Sequence, residues 1–447
     1  MAEMKKHIAV VGAGLVGSLL SIYLVKRGYR VTLLERRGDM RKQGVGGGRS
    51  INLALSNRGI KALNEVGLAE QIRQTAIPMH GRMVHLMDGQ INFQPYGKEG
   101  QFINSISRSG LNIVLMNEAE RLGVDVQFEE KIEGVDFSST KIVYAKADQQ
   151  LSTKNYDLII GADGAYSSVR HAFQVSDRFD YSQTYIEHGY KELSIPAGPN
   201  GEFSLEKNAL HIWPRESFML IALPNPAGDF TCTLFFPFEG RLSFDKIKSK
   251  EDVQSFFSKY FPDAVALMPT LEEDFLTNPT SSLVTVQCWP WVKNNTLLIG
   301  DAAHGIVPFF GQGMNAGFED CRVLNDLLDE HKEAWAIVLP EFQNLRKPDT
   351  DAIAQLALDN FIEMRDLVAD PEFILRKKIE ARLHQLFPDK WIPLYSMVTF
   401  NENIRYSEAQ EVGRKQRKIM DEVLATPLAV ENWEQLEFEK IVKRLGA

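Results

Sequence analysis

The chain has 447 residues and only three cysteines, with 50 Lys and Arg against 59 Asp and Glu for a net charge of −9. At about 150 residues per domain this is roughly three units, and 44% hydrophobic with 24% charged residues is a globular composition that excludes disorder, collagen and coiled coil. The acidic balance argues against a nucleic-acid partner, and Cys232, Cys288 and Cys321, far apart and without a CxxC, point to a reducing compartment with no zinc site.

The apolar run that starts at Ile8 reaches only Val11 before Gly12, too short for a signal core. No window approaches the ~18 apolar residues of a spanning helix. The tail from Glu408 to Ala447 is charged throughout. The expectation is a soluble, cytoplasmic protein with no membrane association.

In chain order, the first 37 residues read as a βαβ unit: HIAVV a strand, GAGLVG a turn, SLLSIYLVKRGY a helix, VTLLER a second strand. RKQGVGGGRSINLAL carries Gly44, Gly46, Gly47 and Gly48, which predicts a mobile loop before a helix over about 58–68. MHGRMVHLMDGQINFQPYG alternates as a hairpin, with Asp88-Gly89 as its turn. SGLNIVLMNEAERLG has helical spacing, and VDVQF, KIVYAKAD and DLIIGADG read as strands returning to a sheet. From about Phe179 to Val286, YIEHGYKELSI, ALHIWPR, FMLIALP and FTCTLFFPF are strands at short spacing, which predicts a mostly β domain. TLLIGDAAHG returns to the earlier style, and a helix is expected from Gly313 to about Glu330. The remainder, about Pro340 to Lys443, reads as helical, with pauses at Pro371, Pro388 and Pro393.

Gly12-x-Gly14-x-x-Gly17 follows a strand and opens a helix, the context of a dinucleotide-binding turn. The first glycine makes the turn, the second admits a pyrophosphate to the backbone, and the third lets helix and strand pack closely. The helix N-terminus offers free N–H groups and partial positive charge. Glu35, eighteen residues past Gly17 at the end of the second strand, suits ribose hydroxyls. The motif alone does not distinguish NAD from FAD. Two further strands end in Asp: Gly161-Ala-Asp163-Gly164, leading to Ser168 and Arg170, and Leu298-Ile-Gly300-Asp301, followed by His304 and by Gly311-Gln312-Gly313-Met314-Asn315. Taken singly, each Asp can equally be a turn cap.

Taken together, these segments resemble the second and third fingerprints of FAD-dependent aromatic hydroxylases. GRSINLALSNRG, GRMVH with FQPYG, FDYSQTYIEHGY, LHIWPR, VPFFGQGMNAGFED, NFIEMR and IPLYSMVTF are similar, in order and spacing, to the kynurenine 3-monooxygenase family of that class. The resemblance extends from Gly48 to Phe400. It implies an α/β fold in which a Rossmann-like FAD-binding domain (1–176 and 296–335) is interrupted by a β-rich substrate domain (177–295, with a hairpin from about 78–98). A C-terminal helical lid region (336–447) completes it. It also implies hydroxylation of L-kynurenine to 3-hydroxykynurenine with NADPH and O2 through a flavin C4a-hydroperoxide, a step of tryptophan degradation and de novo NAD synthesis.

Carried over residue by residue, Arg82 matches the arginine that clamps the substrate carboxylate, which a planar guanidinium can hold bidentately. Tyr96, Asn360 and Tyr395 match the other contacts of the amino-acid end. Phe309, Phe310 and Gln312 match residues beside the ring and the flavin. Val16, Glu35, Ala54, Arg108, Ile132, Ser168, Asp301, Met314 and Asn315 fall at flavin positions alongside Gly12, Gly14, Gly17 and Asp163. Asp301 is expected on the ribityl chain, and the helix start at Gly313 to Asn315 on the N1–C2=O edge of the flavin, where its dipole favours the reduced anion. Ile132 and Ser168 replace the Leu and Thr of some relatives, so backbone or packing roles are expected there. From the residues alone, Tyr96, Phe309 and Phe310 read first as core aromatics, Arg82 equally as a surface strand arginine, and Arg108 as a solvated helix start. Eukaryotic relatives add a membrane-anchoring helix, whereas here VGRKQRKIMDEVL leads to a charged tail, so anchoring is not expected.

The chemistry so implied needs no acid–base residue and no metal, because the aniline nitrogen supplies the electron density and the protein orients and excludes water. His304 is expected to be structural. NADPH is expected to dock transiently, and the oligomeric state, monomer or homodimer, is left open. The competing expectations are a hydroxylase of another aromatic acid and a non-hydroxylating FAD redox protein.

Overall fold

The structure, a computed structural model, describes residues 5–42, 52–145, 150–367 and 370–446, with Val430 described for its backbone alone. The run Gly44, Gly46, Gly47 and Gly48, expected to be a mobile loop, lies outside the described residues. The chain divides into two compact units. The first is Met1–Ala76, Ile106–Ile186 and Leu283–Ala354; the second is Ile77–Ser105, Glu187–Ser282 and Gln355–Ala447.

The first unit is built on a parallel sheet. Its strands lie in the order Val292–Lys293, Thr296–Leu298, Leu158–Gly161, His7–Val11, Arg30–Leu34 and Asp125–Gln127, parallel apart from the first pairing. These strands are short apolar runs because both faces are covered, and Ile8, Ala9, Val10, Ile159 and Ile160 are fully buried. The helix Leu15–Lys26 is apolar nearly all round for the same reason: residues Gly17 to Leu24 are buried. Its two interior serines are satisfied locally, Ser18 Oγ donating to Ala13 O (3.3 Å) and Ser21 Oγ to Gly17 O (2.8 Å). Chain order across the sheet reverses between His7–Val11 and Leu158–Gly161, which makes their carboxyl ends the crevice where open α/β sheets bind ligands.

The three strands Lys131–Asp136, Lys141–Ala145 and Leu151–Asn155 form a small antiparallel sheet of their own. The sequence reading had VDVQF and KIVYAKAD returning to a sheet: Asp125–Gln127 joins the parallel sheet, as Leu158–Gly161 does, whereas Lys141–Ala145 joins this small one.

The second unit carries, in order, Ile91–Pro95, Gly81–His85, Ala209–Arg215, Phe218–Pro224, Phe230–Pro237 and residues 187–195 of a long strand. The hairpin turns at Gly89, whose φ of +85° suits glycine, and its first strand runs parallel to Ala209–Arg215 with Arg82 opposite Leu210. Between Phe244 and Thr277, helices Lys250–Tyr260, Pro262–Val265 and Leu271–Thr277 cover the sheet, a stretch the sequence reading left unassigned. The signal was present. Ser249 and Asp252 make a capping box, and Val253, Phe256, Phe257 and Tyr260 follow at helical spacing. Their aromatic rings join Trp213, Phe218 and Phe236 in one core.

The helix Trp335–Ile362 keeps Pro340 and Pro348 inside it and continues as a π-helix over Glu363–Leu367. Pro371–Leu386, Leu394–Phe400 and Tyr406–Leu424 follow; the first and last of these pack around Ile379, Leu383, Trp391 and Met420. Among the described residues no helix is long and apolar enough to cross a membrane.

Candidate active site

The first unit gathers the candidate cofactor residues at the carboxyl ends of four neighbouring parallel strands. Gly12 to Gly17 follow His7–Val11, Glu35 follows Arg30–Leu34, Asp163 follows Leu158–Gly161, and Asp301 follows Thr296–Leu298. The glycines divide the work as a dinucleotide requires. Gly12 has φ +101° and a Cβ there would stand 2.7 Å from Ala162 O, while a Cβ on Gly17 would stand 1.9 Å from Gly12 O. At Gly14 a Cβ would meet nothing within 4 Å, and the residue is exposed at the N-cap of its helix. A bare backbone facing open space at a helix N-terminus is what a pyrophosphate needs.

Glu35 braces this turn: one oxygen accepts the Ala13 N–H (3.0 Å) and the other the Arg37 N–H (3.0 Å). Asp163 is committed to its own turn, accepting from Ser167 Oγ (2.5 Å) and from the N–H groups of Ser168 (2.7 Å) and Val169 (3.2 Å). The cap reading of this aspartate is therefore its geometry here, and Ser168 serves that cap through its backbone. Arg170, buried, ties the two Asp-ended turns together, donating to Ala165 O (2.5 Å) and Ala302 O (2.9 Å).

Asp301 differs from Asp163. It is exposed to solvent yet surrounded by protein, which pushes its carboxyl above the usual range, against the pull of the Arg108 charge. Arg108 itself is exposed at the start of the helix Arg108–Arg121. An accessible carboxylate with a cation in range, at the bottom of a crevice, suits hydroxyl donors on a ligand. Asn315 faces inward. Its Oδ1 accepts the Ser56 N–H (3.0 Å), and its Nδ2 donates to Ala54 O and Gly311 O (both 2.8 Å), so Ala54 and Asn315 meet. Val16 packs its side chain against Gly300, where a Cβ would stand 3.2 Å from it, and its carbonyl accepts from Cys321 Sγ (3.6 Å). Phe309, Phe310, Gln312 and Met314 are buried along the turn Pro308–Phe310 and the start of the helix Gly313–Glu330, and Ile132 is buried in the small sheet.

The second unit brings Arg82, Tyr96 and Tyr395 together. The Arg82 guanidinium carbon lies 5.6 Å from the Tyr96 ring centroid and 5.5 Å from that of Tyr395. All three are enclosed by protein, and the Arg82 Nε and the Tyr96 hydroxyl are buried without a hydrogen-bond partner. Unsatisfied buried polar groups are costly, and a ligand's oxygens would satisfy these two. Burial works against the charge on Arg82, but Tyr96, Tyr395 and Glu363 hold its pKa above the ordinary value. Burial also pushes both phenols up, so they stay neutral donors. Asn360 is buried one turn before Glu363. Sequence reasoning missed Glu363 and Lys377. Glu363 Oε1 stands 3.8 Å from Arg82 Nη1, and its other oxygen 3.7 Å from Lys377 Nζ. Glu363 lies in the quoted segment NFIEMR and opens the π-helix, an element common at functional sites.

A family model described as an FAD binding domain matches residues 5–348. A kynurenine 3-monooxygenase of Christiangramia forsetii is 48% identical over 440 residues, covering 98% of both chains. The Sus scrofa enzyme of that name is 47% identical over 424 residues, covering 94% of this chain and 89% of its own. The chain belongs to the kynurenine 3-monooxygenase family. Among solved structures, 2-methyl-3-hydroxypyridine-5-carboxylic acid oxygenase superposes with a TM-score of 0.67 at 19% identity, over 86% of this chain and 98% of its own, a likeness of fold alone. The family's FAD-binding domain thus accounts for the crevice above the parallel sheet.

Proposed function

We propose that this chain hydroxylates L-kynurenine to 3-hydroxykynurenine with NADPH and O2. The observation that carries the reading is the buried Arg82, whose Nε has no hydrogen-bond partner, beside two neutral tyrosines, a place suited to an amino-acid carboxylate. Bound FAD would supply oxygen activation, held by Gly12, Gly14, Gly17, Glu35, Asp301 and the Gly313 to Asn315 helix start.

The protein's part is orientation. Arg82 receives the carboxylate through paired N–H groups, the hydroxyls of the stacked Tyr96 and Tyr395 donate beside it, and Asn360 and Glu363 face the amino end. The substrate's aniline nitrogen supplies the electrons that make its ring carbon reactive, so no side chain removes a proton in the rate-setting step. Enclosure by the aromatic rings excludes water. A reducing, cytoplasmic setting is part of the proposal and suits three free, buried thiols.

The test is NADPH oxidation against a panel of aromatic amino acids, phenols and anilines. Kynurenine must stimulate turnover above every other compound. A better phenolic acid, or no stimulation by any of them, contradicts the proposal.

A further inference from the structure

Behind the candidate cofactor residues of the first unit lies a buried charge cluster. Along the helix Gly313–Glu330, Asn315, Glu319 and Asp320 each grip a different segment. Asn315 holds the Ala54 to Ser56 turn, and Glu319 Oε1 takes Arg58 Nη1 at 2.6 Å. Asp320 Oδ2 accepts the Gly300 N–H at 3.2 Å and meets His304 Nε2 at 2.5 Å. Gly300 has φ +59°, so the turn that presents Asp301 is one an L side chain resists; its carbonyl accepts the Ala303 and His304 N–H groups, and its own N–H goes to the Asp320 carboxylate. The clamp that holds the carboxylate comes from another helix. Arg346, 2% exposed, donates from Nε to Asp320 Oδ1 (2.7 Å) and from Nη1 to Glu319 Oε2 (2.8 Å), and stands 3.3 Å from Asp349.

We infer that Arg346 and Asp320 are positioning residues for the flavin, fixing the Gly300–Asp301 turn and setting the charge behind it. The inference rests on the FAD reading of this crevice. Neutral hydrogen-bonding side chains could accept the same Gly300 N–H, and buried ion pairs add little net stability of their own. What the charges add is a field at the cofactor: Asp320 and His304 both act on the Asp301 carboxyl. Reduction adds negative charge to the flavin, so its potential reads that field.

The test uses the full chain, stripped of FAD and titrated with FAD alone, for wild type, Arg346→Met and Asp320→Asn. Midpoint potentials of the reloaded proteins and thermal midpoints of the apoproteins are measured alongside. Both variants should bind FAD about 10-fold or more weakly, the size typical of losing partners behind a ligand site. The potential should move negative in Arg346→Met, which leaves Asp320 less compensated, and positive in Asp320→Asn. A purely structural cluster lowers both thermal midpoints and moves both potentials together or not at all, which overturns the inference. Should Arg346→Met fail to fold, a potential in Asp320→Asn that does not rise overturns it as well. Wild type that takes up no FAD sinks the cofactor reading and this inference together; wild type that binds FAD while the variants match it sinks this inference alone.

Discussion

Tyr96 and Tyr395 stack with ring centroids 5.3 Å apart and planes 11° from parallel, and the Arg82 guanidinium lies against both. One tyrosine follows the hairpin strand Ile91–Pro95, and the other opens the helix Leu394–Phe400. The pair packs against the guanidinium, whose Nε has no hydrogen-bond partner, which leaves that donor for a carboxylate.

Arg82→Ala should therefore lower kcat/KM for kynurenine by about 2–5 kcal/mol, roughly 30- to 4,000-fold, the range for truncating one partner of a buried charge pair. FAD content, read from the visible spectrum, should not change. Arg82→Lys should recover little, because an ammonium lacks the fork. Wild-type kinetics in either variant would remove Arg82 from the site.

Glu363 is shared between Arg82 and Lys377, and Lys377 is further tied to Glu380 at 3.6 Å. Lys377→Met leaves the Glu363 carboxylate to compete for Arg82. The lysine is 46% exposed, so the effect is of the half-screened kind: KM should rise about 2- to 5-fold with kcat nearly unchanged. A fall in kcat at constant KM would contradict this account of Glu363.

The glycine turn separates fold from binding. Gly17→Ala places a methyl 1.9 Å from Gly12 O, so apoprotein stability should drop by several kcal/mol, order of magnitude, on overpacking. Gly14→Ala meets no protein atom, so the apoprotein thermal midpoint should hold while FAD affinity falls. Equal effects of the two on apoprotein stability would refute the division of roles.

Acid sensitivity should come from His211. Burial pushes its pKa down to about 4; its Nε2 bonds Glu206 O at 2.8 Å and its Nδ1 faces His85 Nε2 at 2.9 Å. The unfolded chain binds the proton more readily, so stability is full above about pH 6.5 and falls as pH drops towards about 4, by up to about 3 kcal/mol. Urea unfolding at pH 7 and pH 5 checks it. His211→Gln should flatten the slope between them, and an unchanged slope would assign the sensitivity elsewhere.

How far the sequence carried depends on how local each signal is. The glycine turn, Glu35 and the strand-ending aspartates were legible because backbone geometry dictates residue type over a few positions. Arg82, Tyr96 and Tyr395 were not, since nearly 300 residues separate the two tyrosines and only the family resemblance paired them. Asp163 takes the turn-cap reading its strand end also offered, whereas Asn315 spends its side chain on the turns around it, which a motif cannot reveal. Arg346 carried no signal at all: an arginine mid-helix reads as solvated until the carboxylates around it are known.

The most direct measurement is the product itself. Purified protein, reloaded with FAD and incubated with kynurenine and NADPH under oxygen-18 gas, should yield 3-hydroxykynurenine carrying one labelled oxygen, in step with NADPH consumed. NADPH oxidation that leaves kynurenine unchanged, or a product without the label, would contradict the assignment.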